Sequence, residues 1–208
     1  MRKTLAISGV AVASALVLAA CGGNDDMSGM RHSSSPAPSA ASGPQAGHNA
    51  DDVAFAQQMI PHHGQALDMA KMVPTRSTNP KVLDLASRIE KAQDPEITQM
   101  RSWLSSWGAA PGASSMPGMD HGSMPGMSGG PMPGMMSGDD MTKLGQAKGA
   151  DFDTMWLRMM VQHHQGAIDM ARTELAKGGS ADAKALAQKI IDGQQAEITE
   201  MRGLLGQS

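Results

Sequence analysis

The chain has 208 residues, with 17 Lys and Arg against 20 Asp and Glu, so its net charge is −3 at pH 7. A chain with this balance lacks the basic footprint of a nucleic-acid-binding protein, and that class of function is excluded. Hydrophobic residues make up 40% of the chain but aromatic residues only 2%, and 20 residues are Met. A core of aliphatic, Ala and Met side chains favours helices over sheets, so the composition predicts an all-α protein.

Residues 1–20 predict a lipoprotein signal peptide. Arg2 and Lys3 supply the positive start, and the apolar run that follows is short for a membrane span. The run ends in LAAC at residues 18–21, which resembles the bacterial lipobox, where the leader is cut before a Cys that carries a diacylglycerol. Cys21 is the single Cys of the chain, and we expect it to anchor the protein to the outer face of the cell membrane or in the periplasm. The alternative is an ordinary cleaved leader with a free thiol.

The remaining chain divides into four segments by composition. Residues 21–47 are rich in Ser, Ala, Pro and Gly and predict a flexible stalk. Two segments with helical periodicity, residues 48–108 and 142–208, predict two helical hairpins. A Met/Pro/Gly-rich linker, residues 109–141, joins the two hairpins.

The two hairpins are copies of each other. Residues 52–104 match residues 153–205 at a constant offset of 101, without gaps. Each hairpin alone would expose an apolar stripe, and packing the two stripes together buries both. The duplication therefore predicts an antiparallel four-helix bundle.

Cap and breaker residues predict where the four helices begin and end. Asp51 or Asp52 and Asp151 or Asp153 are predicted to cap the first helix of each hairpin, and Asn79 and Ser180 are predicted to cap the second. The predicted ends are at Pro74, Gly108 and the pair Gly178-Gly179.

Polar residues on the apolar stripes mark the candidate site. At 100° per residue, His62 and His63 share a stripe with Phe55, Met59, Ala66 and Ala70, whereas Asp68 falls on the opposite, solvated face. The stripe of the second helix contains Glu96 near its middle, and Glu197 is its counterpart in the second hairpin. The full stripe of that helix is predicted as Leu85, Ile89, Ala92, Glu96, Met100 and Trp103.

An inward carboxylate must be compensated, because an unpaired buried charge costs several kcal/mol. The inward histidines can compensate it through His-Glu hydrogen bonds or through a shared metal. The alternative is a satisfied polar layer that fixes the register of the bundle. Since each His pair follows a Met by three and four residues and the arrangement is duplicated, we favour a copper site. Its predicted residues are His62, His63, His163, His164, Met59, Met160, Glu96, Glu197, Met100 and Met201.

The two half-sites are not expected to be identical. Pro61 and Pro95 stand in the first hairpin where Gln162 and Ala196 stand in the second. A proline inside a helix removes one backbone hydrogen bond and bends the helix, so the first hairpin is predicted to be kinked at the level of the site.

The linker contains three copies of Met-Pro-Gly-Met, at residues 116–119, 124–127 and 132–135. Pro-Gly at the centre favours a reverse turn, which can bring two thioethers to one side. Thioethers suit Cu(I) or Ag(I), so the linker predicts a second, weaker metal site, against the alternative of a simple spacer. Its predicted residues are Met116, Met119, His121, Met124, Met127, Met132, Met135 and Met136.

Two segments resemble the signature of a known family. FAQQMIPHHGQALDMA, residues 55–70, and FDTMWLRMMVQHHQGAIDMA, residues 152–171, are similar to the bacterial domain-of-unknown-function family 305. The resemblance covers about residues 48–205 and implies a ferritin-like architecture. It extends to copper-binding extracytoplasmic members of the CopM type, which are implicated in copper resistance. The four histidines with Met59 and Met160 match the motif, and the copies differ at Gly64-Gln65 against Gln165-Gly166.

These observations together predict a lipid-anchored extracytoplasmic protein that sequesters or relays copper, with a transfer partner that the sequence does not identify. It is expected to be a binding protein rather than an enzyme. One alternative is a ferritin-like di-metal oxidase or peroxidase, although the Glu-x-x-His motifs of such sites do not occur in the sequence. A metal-free envelope interaction protein is the other.

Overall fold

The helices follow the duplicated sequence pattern, with one addition. The computed structural model describes residues 47–110 and 132–206, and every regular element within them is helical, which confirms the all-α prediction. The long helices are α1 (Ala50–Met72), α2 (Pro80–Ser106), α4 (Gly149–Lys177) and α5 (Ala181–Leu205), with a short α3 (Gly138–Gln146) and a 3-10 turn (Val73–Thr75). Among these helices, none is both long and apolar enough to cross a bilayer. Cys21, the leader and the stalk up to residue 46 lie outside the described residues.

The observed N-termini of the helices contradict two of the predicted caps and confirm the other two. Asn49 caps α1, since its side chain accepts from the backbone N–H of Asp51 at 2.8 Å, so the predicted caps at Asp51 or Asp52 are wrong. The helix begins earlier because Asp52 completes a capping box with Asn49. α4 follows Lys148, which makes no side-chain cap, and the predicted caps Asp151 and Asp153 lie inside the helix. Asn79 and Ser180 cap α2 and α5 as predicted.

Helix α3 occupies the end of the segment assigned to the linker. Ser137 accepts from the backbone N–H of Asp140 at 3.1 Å, and the Asp140 carboxylate bonds back to Ser137. This capping box starts a helix at Gly138 instead of after Met141. Leu144 is fully buried and fixes α3 against the core.

The four long helices pack as two hairpins that meet through their first helices. α1 packs along α2, α4 along α5, and α1 against α4. The indole N–H of Trp156 on α4 donates to the carbonyl of Met69 on α1 at 3.0 Å. At the other end, the Asp52 carboxylate accepts from the backbone N–H of Ser180 at 2.9 Å and from that of Gly179. These contacts bind the two hairpins together near both ends.

Two hydrophobic clusters fill the interior. The first contains Met69, Leu85, Phe152, Trp156, Met160 and Met201, and the second contains Phe55, Met59, Met100, Leu104, Ala171 and Leu186. On α1 the second cluster ends at Ile60 and the first begins at Ala66, with the histidines between them. We call the polar residues at this level the polar layer: His62, His63, Gln93, Glu96, His163, His164, Gln194 and Glu197.

The buried face of α2 differs in part from the predicted stripe. Leu85, Ile89, Glu96 and Met100 are buried as predicted, but Ala92 is exposed and Trp103 is half-buried. Their neighbours Gln93 and Leu104 are buried instead. At both places the buried residue follows the predicted one by one position, so that Gln93 faces the level of the polar layer.

Candidate metal centre

The four histidines predicted to face inward are all fully buried. His62 and His63 come from α1, and His163 and His164 come from α4. The rings of His62 and His163 lie against each other, with centroids 3.7 Å apart and planes inclined by 35°. The centroids of His163 and His164 are 6.3 Å apart. The packing of α1 against α4 therefore brings both repeated His pairs to one level of the interior.

One histidine of each pair is hydrogen-bonded to the glutamate of its own hairpin. His63 Nε2 lies 2.9 Å from Glu96 Oε2, and His164 Nε2 lies 2.7 Å from Glu197 Oε2. A carboxylate only accepts, so Nε2 is the donor in both pairs. Of the two predicted ways of compensating the glutamates, the structure shows the His-Glu hydrogen bond.

The other two histidines have fewer partners. His62 Nε2 donates to the carbonyl of Pro133 at 3.1 Å, and neither ring nitrogen of His163 has a partner within the described residues. Nδ1 of His62, His63 and His164 is also buried without a partner there. Buried polar atoms are normally hydrogen-bonded, so a satisfied polar layer does not describe this interior.

Burial favours the neutral form of His62, His163 and His164. Burial, helped by the neighbouring His63, lowers the pKa of His62 to about 3. Burial also lowers the pKa of His163 well below its usual value, and it lowers the pKa of His164 in spite of the bond to Glu197. A neutral imidazole keeps one nitrogen lone pair, which is the form that binds metal ions. For His62 and His164 that lone pair is on the unpartnered Nδ1, because Nε2 carries the hydrogen.

The predicted bundle methionines lie on both sides of the polar layer. Met59 and Met100 belong to the second hydrophobic cluster, and Met160 and Met201 belong to the first. All four are fully buried. Each side of the imidazoles is therefore supplied with two thioether-bearing residues, one from each helix of a hairpin.

The described residues do not form a preassembled metal site. Within residues 47–110 and 132–206, no group of three His, Cys, Asp or Glu side chains is placed to hold a metal ion. His63 and His164 are held by their glutamates, and His62 by Pro133. A shared ion would therefore require the imidazoles to turn or the thioethers to complete the coordination.

A cleft of about 520 Å³ between α2 and α5 leads to the glutamates. Glu96 and Glu197 line it with side chains 8% and 15% exposed, and the Lys189 ammonium lies 3.3 Å from Glu96 Oε1. Gln93 and Gln194 also line the cleft, and the amide oxygen of each is buried without a partner in the described residues. Sequence reasoning did not select these two glutamines, although they are a matched pair at the offset of 101.

The third Met-Pro-Gly-Met copy is the part of the linker site that the structure describes. The backbone N–H of Met135 donates to the carbonyl of Met132 at 3.2 Å, and Gly134 has φ +76°. Pro before a residue of positive φ is the type II pattern, so the predicted reverse turn is confirmed for this copy. Met132 and Met135 are half-buried and Met136 is buried. Met116, Met119, His121, Met124 and Met127 lie outside the described residues.

A pair of buried carboxyl groups was not predicted. Asp52 is 0% exposed and Glu174 is 1% exposed, and the two side chains are adjacent. Burial and the neighbouring Asp52 raise the pKa of Glu174 to about 8. Burial acts to raise the pKa of Asp52 too, but the neighbouring Glu174 side chain and hydrogen bonds from the backbone N–H groups of Ser180, Asn49 and Gly179 lower it below its usual value. Glu174 therefore carries the proton of the pair.

Residues 52–205 match the family described as a domain of unknown function, DUF305. The chain belongs to this family. Two DUF305 crystal structures are similar to it. A predicted secreted protein of Streptomyces coelicolor is 30% identical, with a TM-score of 0.65, over 76% of this chain and 93% of that one. A fragment from Deinococcus radiodurans is 31% identical, with a TM-score of 0.66, over 78% of this chain and 99% of that one.

A third similar structure carries metal. CopM in its Cu(II)-bound form is 31% identical, with a TM-score of 0.61, over 75% of this chain and 96% of that one. CopM has also been solved in Cu(I)-bound and silver-bound forms. An uncharacterized protein of Acanthamoeba polyphaga mimivirus is 39% identical over 54 residues, and the match spans 36% of that protein's length.

Proposed function

We propose that this DUF305 protein is an extracytoplasmic, lipid-anchored copper-binding protein that sequesters or relays copper ions. The observation that carries this function is the set of buried imidazole nitrogens without partners. Leaving such atoms unpaired costs stability, and a fold that only needed a dry core would replace them with apolar side chains. Imidazole and thioether donors side by side suit copper in either oxidation state, and silver as its soft analogue.

The relatives support the choice of metal. CopM binds Cu(II), Cu(I) and silver in its solved forms, and the similarity to CopM covers 75% of this chain. We propose that the four long helices form the antiparallel, ferritin-like four-helix bundle of such proteins. The second hydrophobic cluster supports this arrangement. It contains residues from the start of α1, the end of α2, the end of α4 and the start of α5, as expected where neighbouring helices run antiparallel.

Two donor sets would divide the work. Bundle residues His62, His63, His163 and His164, with Met59, Met100, Met160 and Met201, would hold copper firmly, and Glu96 and Glu197 would orient histidines. The Met-Pro-Gly-Met copies of the linker would collect Cu(I) more weakly. Lipidation at Cys21 would keep both sets at the membrane surface, where the copper-transfer partner would also act.

The test is an anaerobic Cu(I) titration of the full mature chain against a chromophoric chelator. We expect tight binding that is weakened strongly by His62→Ala together with His163→Ala, and a weaker phase that is lost when the linker methionines are changed to Leu. His48→Ala is the matched control, because His48 is stacked on Trp107, outside the polar layer, with ring centroids 4.7 Å apart. Binding that is equal in the double variant and in the control would refute the bundle site. Turnover with oxygen would support the alternative of a ferritin-like di-metal oxidase.

A further inference from the structure

The third Met-Pro-Gly-Met copy crosses α4 at backbone contact distance. A Cβ atom added to Gly166 would lie 2.0 Å from the carbonyl oxygen of Pro133, and one added to Gly134 would lie 2.7 Å from the carbonyl oxygen of Gln162. No side chain fits at either position, and Gly134 also has the positive φ that glycine adopts readily. The crossing therefore depends on a glycine in each of the two segments.

The same segment is held to α1 by one side chain. Gln65 Nε2 donates to the carbonyl of Met136 at 2.9 Å, and the backbone N–H of Met136 donates to Gln65 Oε1 at 2.7 Å. One amide thus satisfies both backbone groups of Met136. Residues 132–136, which we call the strap, are bound to α1 through Gln65 and seated on α4 at Gly166.

The two holding residues are repeat counterparts. Gln65 and Gly166 are separated by the offset of 101, as are Gly64 and Gln165. Gly64 has nothing within 4 Å of an added Cβ, and Gln165 bonds to Asp169 at 3.2 Å on its own helix, so neither holds the strap. The exchange of Gly and Gln between the copies is explained by the strap, which needs an amide on α1 and open space on α4.

The strap lies against the His62 and His163 pair. Pro133, at its centre, accepts the hydrogen bond from His62 Nε2 at 3.1 Å, and Gly134 lies against the backbone carbonyl of His163. A metal ion cannot bind His62 Nε2 while that nitrogen donates to Pro133. Strap closure and metal binding at this atom exclude each other.

We propose that the strap is a cover over the His62 and His163 pair, that Gln65 and Gly166 are the positioning residues that keep it closed, and that its release exposes His62 Nε2. Met132 and Met135 flank the covering turn, so a soft ion held by this copy would reach the histidines when the strap lifts. The part about copper rests on the proposed function. The cover itself does not.

The test compares three variants of the metal-free full chain. Gly166→Ala places a methyl group where Pro133 lies, and Gln65→Ala removes both hydrogen bonds to Met136. Gly64→Ala is the matched control, a Gly-to-Ala change in a helix with free space around it. Reactivity of each histidine toward diethylpyrocarbonate is measured by mass spectrometry, with His164 as the internal reference. We expect His62 to react roughly tenfold faster in both opening variants, because Gln65→Ala removes two hydrogen bonds to the strap and Gly166→Ala displaces Pro133.

Three results would overturn the cover. These are no increase at His62 in either opening variant, the same increase in Gly64→Ala, or an equal increase at His164, which would indicate general loosening. If circular dichroism shows that Gly166→Ala has lost helix, Gln65→Ala decides. A second measurement follows the rate of Cu(I) transfer from a chelator, expected to rise in the opening variants with unchanged stoichiometry. Faster modification of His62 with no copper binding in any variant would keep the cover and refute the proposed function.

Discussion

The imidazole of His62 lies against that of its repeat counterpart His163, with ring centroids 3.7 Å apart. The two residues are equivalent in the duplicated sequence but differ in their contacts, since His62 is bonded to Pro133 and His163 has no partner among the described residues. The duplication has thus produced two unequal imidazoles at the junction of the hairpins. This inequality leads to the first prediction.

We expect His163→Leu to stabilise the metal-free protein. The substitution removes two buried ring nitrogens that have no partner in the described part of the chain and fills the same space with an apolar side chain. The expected gain in the free energy of unfolding is on the order of 1 kcal/mol. Chemical denaturation of the metal-free protein measures it, and the same variant should lose most of the stabilisation that wild type gains from Cu(I).

His164→Leu is the comparison for that experiment. It leaves the part-buried Glu197 carboxylate without its imidazole donor, so it should destabilise the protein by about 1 to 3 kcal/mol. A loss of stability in His163→Leu as large as in His164→Leu would show that both rings are structural.

Glu174 makes stability fall as pH rises. Its pKa is about 8 in the folded protein, against 4.5 as the ordinary value. Between these two pH values the folded state keeps a proton that the unfolded state releases, so the free energy of unfolding decreases from pH 4.5 toward pH 8. Glu174→Gln leaves a neutral amide beside Asp52 with no titrating proton, and we expect it to be more stable than wild type at pH 8 by on the order of 1 to 3 kcal/mol.

Denaturant titrations at a series of pH values test this effect. The excess stability of Glu174→Gln should vanish below pH 4.5, where wild-type Glu174 becomes protonated in both states. Glu90→Gln, at a half-buried position on α2, serves as the control and should leave the pH dependence of the free energy of unfolding unchanged. A Glu174→Gln curve parallel to wild type would contradict the prediction.

The buried histidines have the opposite effect in acid. Burial lowers the pKa of His62 to about 3 and lowers those of His163 and His164, so the unfolded state takes up protons below pH 6.5 that the folded state does not. The contribution of these histidines to stability is complete above pH 6.5 and is lost as pH falls toward 3. The Glu174→Gln background removes the opposing slope of Glu174, and adding His163→Leu should make the remaining slope in acid shallower. An unchanged slope would mean that His163 is protonated in the folded protein.

The glutamates are expected to tune copper affinity through the histidines they hold. Glu197→Gln keeps a hydrogen-bond acceptor for His164 Nε2 but removes the negative charge that makes the imidazole a stronger ligand for a metal ion. We expect Cu(I) affinity to fall by roughly tenfold, with little change in helix content. Glu96→Gln should behave similarly but also frees the Lys189 ammonium, which bonds to Glu96 in wild type. Competition titrations measure both, and equal affinity in all three proteins would show that the carboxylates act only in folding.

Much of the site followed from helical periodicity. The positions of His62, His63, Glu96 and Met100 on buried faces could be predicted because a period of 3.6 residues places them with Phe55 and Leu85 on their own helices. The exposed Asp68 was placed correctly by the same arithmetic. His-Glu pairing followed as well, since a buried carboxylate needs a partner and the imidazoles share its level.

Contacts between distant segments could not be predicted. Asp52 and Glu174 meet at the junction of α1 with the α4–α5 turn. The sequence around either residue contains no signal that the two carboxyl groups will be adjacent. The exchange of Gly64-Gln65 for Gln165-Gly166 was visible in the sequence, but its cause lies in residues 132–136. By contrast, the start of α3 was missed although Ser137 and Asp140 have the spacing of a capping box.

The indole of Trp156 provides an optical probe within the fold. It is fully buried, bonded to Met69, and one helical turn before Met160, whereas Trp103 and Trp107 are stacked on each other at the end of α2. A paramagnetic ion arriving among the histidines should quench the emission of Trp156. With Trp103 and Trp107 replaced by Phe, the protein would report its own loading by fluorescence, without an added dye.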